Sequence, residues 1–279
     1  MKLAVVTATV DPTRTSSFWK TWRENAGMYF QVVVVWNNRE DEGPEAWRRE
    51  TVADVLKLQG LVQPGDCVIS QRGFGGVVSS FQQAVEYAAL EMDADVVACL
   101  HDDVAIYERD WAAKVVKWFD ARAQCLLLGF GGATGLGDPD IYKKLYAPHQ
   151  LARRNFVSNM KDAEAHGKRV EHPTRVACLD GFSQVGRASF MRGAFKKLVE
   201  MGVRHHAYDA ALGAFAKRAA GEAWMLPIYC HHHGGLTAVG DPRYQDWAKT
   251  QHPEGDEGFW KEAHEKVYEE LRDVLPIDV

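Results

Sequence analysis

Between Gln31 and Trp36 the chain carries four valines in succession. A strand sends successive side chains to opposite faces of its sheet, so such a run leaves neither face for water. No stretch of the chain approaches the roughly 18 consecutive apolar residues of a bilayer-crossing helix. What remains is a strand buried on both sides in a sheet covered by helices. Lys2–Val10, rich in β-branched residues and closed by Asp11-Pro12, has the same character, as do Asp66–Ser70, Asp95–Leu100 and Cys125–Phe130. Segments of helical period lie between them: one capped at Ser16 or Ser17 and carrying Phe18, Trp19 and Trp22, then Ala46–Leu58, Val77–Met92 and Trp111–Arg122. This alternation predicts an α/β fold with right-handed crossovers and a mostly parallel central sheet flanked by helices.

The second half is less regular. Gly129–Asp140, with five glycines and a proline, reads as a loop. Val176–Leu179 and Ser189–Met201 restore regular structure, and a helix is expected over Asp209–Ala220. A strand over Trp224–Cys230 then ends at His231-His232-His233-Gly234-Gly235. From Glu254 onward nine acids face three bases, and Trp260, His264, Val267, Tyr268 and Leu271 recur at the spacing of a packing helix. With 279 residues, 46% of them hydrophobic, the chain can bury a core without staples, and disorder is excluded. The five cysteines stand singly, with no C-x-x-C pair, which points to reduced thiols, no zinc cluster and a cytoplasmic setting. Asp11 and Pro12 interrupt the amino-terminal apolar run too early for a signal peptide, so a soluble protein is expected.

The net charge of −5 argues against a uniformly basic surface. The charge is unevenly spread, however. Residues 143–175 hold eight bases against three acids, a local +5, which leaves −10 for the rest. Tyr146, His149, Phe156 and His166 are interleaved with those bases. The stretch therefore has the composition of a polyanion-binding loop and equally that of a solvated acceptor lid.

Several nucleotide and metal motifs fail. Gly73-Phe74-Gly75-Gly76 and Gly129-Phe130-Gly131 each lack the last glycine of a dinucleotide fingerprint, no P-loop exists, and His264-Glu265 is followed by Tyr268 where a zincin needs histidine. Two clusters survive. His101-Asp102-Asp103 directly follows a predicted strand, where open α/β sheets bind ligands, and adjacent carboxylates there favour a divalent cation. Asp102 also fits a plain cap of the following turn. In the histidine run, strand alternation points His231 and His233 the same way and His232 elsewhere, so His231 and His233 can act together as candidate metal ligands, with the choice among the three left open. A carboxylate and imidazole set suits Mn²⁺, an all-oxygen set Mg²⁺. Trp19, Trp22, Trp111, Trp118 and Trp247 read as core residues, while Trp224 falls near the expected site.

Taken in order, several segments resemble the GT-A fold glycosyltransferases, close to the large family 2 of inverting enzymes. They are Val5-Val6-Thr7-Ala8-Thr9, Val32–Val35 with Trp36-Asn37-Asn38, Gln71–Gly76, Leu100–Val104, Leu179–Phe182, Tyr208-Asp209 and the closing His-His-His-Gly-Gly. The resemblance covers roughly residues 1–235. It implies a nucleotide-sugar half over 1–130, an acceptor half over 131–235 that includes the basic stretch, and a helical tail over 236–279. It further implies that Thr7, Thr9, Asn37, Arg72, Gly73 and Asp102 surround the nucleotide, and that Asp103 holds a metal bridging its phosphates. Asp180, Gly181 and Phe182 would line the acceptor side, and Asp209 would be the catalytic base. His101 stands where the family's Asp-x-Asp has its first aspartate.

Asp209 also fits a helix N-cap and Phe182 a core position. A base that takes the acceptor's proton gains from a pocket that raises its pKa. The function expected is therefore metal-assisted, inverting transfer of a sugar from a nucleotide diphosphate, UDP foremost, to a hydroxyl. The acceptor is a saccharide or, alternatively, nucleic acid such as a hydroxymethylated pyrimidine in viral DNA. A non-catalytic nucleotide- or sugar-binding module is the reading from a different class.

Overall fold

The computed structural model describes residues 1–38, 56–57, 60–72, 75–137, 153–159, 167–234 and 242–279. The expected helix over Ala46–Leu58 lies almost wholly outside them, as does most of the basic stretch 143–175. Strands β1 (Leu3–Thr9), β2 (Gln31–Asn38), β3 (Cys67–Arg72) and β4 (Val96–Leu100) pair in parallel in the order β4-β1-β2-β3. The valine run behaves as its alternation requires. Val32 and Val34 enter a core with Trp19 and Trp22 on one face, and Val33 and Val35 enter a second core with Val78 and Phe81 on the other.

The helices that build those cores have identifiable local causes. Helix α1 (Pro12–Glu24) begins at Pro12, earlier than the expected serine cap, because proline's fixed φ and missing N–H suit a first turn. It buries Trp19 and Trp22, and the Trp22 indole donates to the Val104 carbonyl at 2.7 Å. Helix α2 (Val77–Leu90) starts after Gly76, whose φ of +81° and contact with the Arg204 carbonyl admit no Cβ, and it buries Val78, Phe81, Ala84, Val85 and Ala88. Helix α3 (Trp111–Ala121) ends under Arg187, whose guanidinium donates to the carbonyls of Phe119 at 3.0 Å and Arg122 at 2.9 Å.

The second half departs from expectation in three places. Gly131–Leu136 is a strand, β7, following β6 (Cys125–Gly129). Its glycines serve close approach rather than a loop, since a Cβ on Gly132 would collide with the Cys178 carbonyl of β11 (Cys178–Leu179). Next, Ser183–Arg187 forms β12, antiparallel between β6 and β4 in the middle of the main sheet. Its polar Ser-Gln-Val-Gly-Arg sequence gives no strand signal, although Ser183 and Gln184 are fully buried. Finally, the expected strand Trp224–Cys230 is divided at Leu226–Tyr229 into β13 (Glu222–Met225) and β14 (Cys230–His232), which belong to different sheets.

The main sheet has eight strands in the order β10-β13-β6-β12-β4-β1-β2-β3, where β10 is Thr174–Val176. A second sheet joins β11, β7, β8 (Arg153–Ser158) and β9 (Lys168–Arg169), with β15 (Ile277–Asp278) on β7. A third pairs β14 with β5 (Val104–Ile106). Helices α4 (Ala188–Glu200) and α5 (Tyr208–Arg218) lie between, and the tail forms two helices, α6 (Pro242–Gln251) and α7 (Gly255–Leu271). Helix α7 buries Ala263, Val267 and Leu271 in the core that holds Phe81 and Tyr208. Among the described residues no helix is long and apolar enough to cross a membrane.

Candidate functional site

The parallel strands all end at one edge of the sheet, and a cavity of about 340 Å³ opens there. From β1 comes Thr9, from β2 Asn37, and from the turn after β4 come His101, Asp102 and Asp103. Thr9 donates to the Asp102 carboxylate at 2.7 Å, and its hydroxyl accepts the Asp11 N–H at 2.9 Å. Asn37 accepts from the Ser80 hydroxyl at 3.3 Å. Thr7, two residues before Thr9, is fully buried; it does not line the cavity, and its hydroxyl has no hydrogen-bond partner among the described residues. Arg72 ends β3, but its side chain, like Gly73, lies outside the described residues.

Strand β14 supplies the next piece. It pairs antiparallel with β5, the strand immediately after Asp103, in a register that sets His232 opposite Val104, and the His233 N–H donates to the Asp103 carbonyl at 3.0 Å. His232 consequently meets Asp103, Nε2 to carboxylate 3.2 Å, and its ring lies 5.4 Å from that of His101. His101, Asp103 and His232 place one potential ligand atom each within 4.8 Å of one another. His231 and His233 do share a face, with ring centroids 4.0 Å apart, but there His233 lies 4.9 Å from Phe18 of α1. The parity within the run follows the sequence; the face that meets Asp103 is the opposite one, because the β5 register decides it.

Burial, and then repulsion from His232, holds the His101 imidazole down to about 4, so it is neutral at ordinary pH with a lone pair to give. Its Nε2 lies 2.8 Å from the Tyr208 hydroxyl, which in turn donates to the Gly181 carbonyl at 2.8 Å. A ligating imidazole is commonly oriented by such a partner on its other nitrogen. Phe182 is fully buried and stacks on His232 at 5.0 Å; it backs the histidine instead of lining the cavity, while Asp180 and Gly181 reach the cavity wall.

Asp209 lies in the first turn of α5, where its carboxylate accepts the Ala210 N–H at 2.8 Å and faces the cavity. Ala207 holds the N-cap position itself. Burial alone would raise the Asp209 carboxyl. The Arg153 guanidinium at 2.5 Å outweighs it, and the group sits below the ordinary carboxylate range, opposite to the direction expected of a base in an apolar pocket. Arg153 comes from β8, inside the basic stretch, and the charge count of that stretch did not single it out.

Two further residues escaped sequence reasoning. Trp260 and His264 of α7 line the same cavity, where helical spacing alone suggested packing only. By contrast Trp224 stands away from the cavity, edge-on to Trp118 at 5.3 Å.

A many-stranded sheet flanked by helices, with a ligand-sized cavity at the carboxyl ends of its parallel strands, is the architecture of the GT-A glycosyltransferases, and the fold is of that kind. One solved structure similar to it is that of GalNAc-T7 with UDP, GalNAc and Mn²⁺, at a TM-score of 0.54 and 12% identity over 83% of this chain. The chain spans 44% of the length of that protein. A197 from STIV aligns over 84% of this chain and 87% of its own at 11% identity and a TM-score of 0.45. HddC from Yersinia pseudotuberculosis aligns over 69% and 80% at 9% identity and a TM-score of 0.38. No family model matches the sequence, and no curated protein matches it.

Proposed function

We propose that the chain is a metal-dependent, inverting glycosyltransferase that moves a sugar from a nucleoside-diphosphate donor, UDP-linked, to an acceptor hydroxyl. The observation that carries this reading is the placement of His101, Asp103 and His232 beside the Thr9–Asp102 pair, with Asp209 lining the same cavity. In this reading Thr9, Asn37 and Asp102 receive the base and ribose, and Thr7 supports Thr9 from within the core.

Two imidazoles and one carboxylate fit a first-row divalent ion such as Mn²⁺ better than Mg²⁺, and His101, Asp103 and His232 would hold it. Bound there, the ion stabilises charge on the departing diphosphate. The GalNAc-T7 structure, similar in fold, holds UDP and Mn²⁺, in keeping with a metal-assisted nucleotide-sugar reading.

Asp209 takes the acceptor's proton. The acceptor oxygen forms its bond to the anomeric carbon, the bond from that carbon to the diphosphate oxygen breaks with its electron pair leaving on the diphosphate, and the hydroxyl proton passes to the carboxylate. While Arg153 is paired with it, Asp209 is ionised but weakly basic. An anionic donor in the cavity competes for that guanidinium, and Asp209 gains basicity to the degree that the donor wins. Asp180 and Gly181 lie on the acceptor side.

The test is UDP release from a panel of UDP-sugars with and without Mn²⁺. The reading predicts Mn²⁺-dependent release from at least one of them, lost in Asp103→Ala. Donor binding without turnover in any acceptor mixture would favour a binding module, and no donor binding would overturn the reading.

A further inference from the structure

One wall of the cavity comes from beyond the residues 1–235 over which the family resemblance runs. Helix α7 brings Trp260 and His264 to it, with ring centroids 4.1 Å apart. The helix is firmly seated. Ala263, Val267 and Leu271 enter the core, and near its start Asp256 accepts from the Tyr244 hydroxyl at 2.6 Å and lies 2.7 Å from His206 Nε2, in the segment leading into α5. His264 lies in the field of the Asp209–Arg153 pair, and burial keeps its imidazole neutral, down at about 4.

The charge on this wall is telling. The arginine that the described part of the basic stretch brings to the cavity is Arg153, and it is paired with Asp209. Trp260, His264 and Asp180 line the same cavity as that pair, and the His264 imidazole is neutral. An aromatic face takes the C–H side of a sugar ring, and neutral or anionic acceptors take its hydroxyl protons.

We propose that Trp260 and His264 form the acceptor subsite for a neutral saccharide ring, stacking it on the indole with a hydroxyl presented to Asp209. This rests on the glycosyltransferase reading above and specifies its acceptor class. Both side chains act as binding groups, and the tail is thereby part of the functional unit.

The experiment is saturation-transfer NMR on the full chain with UDP and Mn²⁺ present. The probes are the methyl glycosides of glucose, galactose and mannose and a short oligodeoxynucleotide bearing hydroxymethylcytosine. At least one glycoside is expected to bind, with affinity lowered about three- to tenfold in Trp260→Ala and largely restored in Trp260→Phe. His264→Gln, which keeps a polar side chain, serves should the alanine variant fail to fold, and is expected to weaken the same glycoside. Wild-type protein that shows a thermal shift with UDP and Mn²⁺ yet binds no glycoside overturns the proposal. So does equal glycoside binding by wild type and the Trp260 and His264 variants, or binding of the oligonucleotide in place of the glycosides. Absence of any UDP and Mn²⁺ shift in the wild type instead strikes the donor reading on which the proposal rests.

Discussion

Thr9, Asn37 and His101 reach the cavity from the carboxyl ends of strands whose side chains are buried on both faces or from the turn that follows one, whereas Arg153, Asp209 and His264 reach it from β8, α5 and α7, which only tertiary packing brings together. The first wall is a by-product of a sheet that must form for the core to exist at all. The second is assembled late in the chain around a buried ion pair, and a buried ion pair is weak evidence of stabilisation because both charges have lost water. Damage to one partner should therefore be felt more strongly on the second wall than an equally small change on the first.

The largest effect expected on that contrast is from Arg153→Met. It leaves the buried Asp209 carboxylate without its counter-ion and should cost about 3–5 kcal/mol in a urea titration. The double variant Arg153→Met/Asp209→Asn should recover most of that loss. A cost under about 1 kcal/mol would mean that the pair is solvated and that the two walls do not differ in this way.

Acid comes next. His264 titrates near 4 and His205 near 3 in the folded chain, in each case chiefly through burial, against an ordinary 6.5. Between pH 6.5 and 4 the unfolded chain binds more protons than the folded one, so stability falls as pH falls through that window, by up to about 3 kcal/mol for each histidine. Chemical denaturation across this range should show the decline, and His264→Gln should flatten it. A stability flat from pH 7 to 4.5 would contradict the burial of both rings.

A smaller effect, about 1–3 kcal/mol, is expected of Gly132→Ala, which drives a methyl against the Cys178 carbonyl and pries β7 from β11. Val33→Ala in the first wall makes a useful contrast. It should cost a similar amount through a cavity, without altering the spectroscopic signature of the second sheet. If Gly132→Ala is neutral, β7 does not cross β11 as closely as described.

The same division governs how much could be read from sequence. The first wall was legible because short runs such as Val32–Val35 carry their burial on both faces in their composition, and the carboxyl end of Asp95–Leu100 then locates His101-Asp102-Asp103, whereas Thr9 and Asn37 were singled out only by the family resemblance. The glycines of β7 misled because glycine marks loops and close crossings alike, and only the Cys178 carbonyl tells them apart. Strand β12 was invisible because its Ser183 and Gln184 are buried polar residues, contrary to the usual rule. In the histidine run, alternation correctly paired His231 with His233. Which face meets Asp103 depends on pairing with the three-residue β5, some 125 positions earlier, and no local pattern reports a register over that separation. Arg153 and Trp260 gave only generic signals, a charge in a charged stretch and an aromatic on a helix.

The central claim is that His101, Asp103 and His232 are the metal-binding group. The most direct test is Mn²⁺ titration of the full chain by electron paramagnetic resonance in the presence of UDP, comparing His232→Ala with His231→Ala. The account predicts that His232→Ala weakens Mn²⁺ binding at least about tenfold while His231→Ala stays within about twofold of the wild type. Loss of Mn²⁺ binding in His231→Ala with His232→Ala unaffected, or no UDP-dependent Mn²⁺ binding in the wild type, would contradict it.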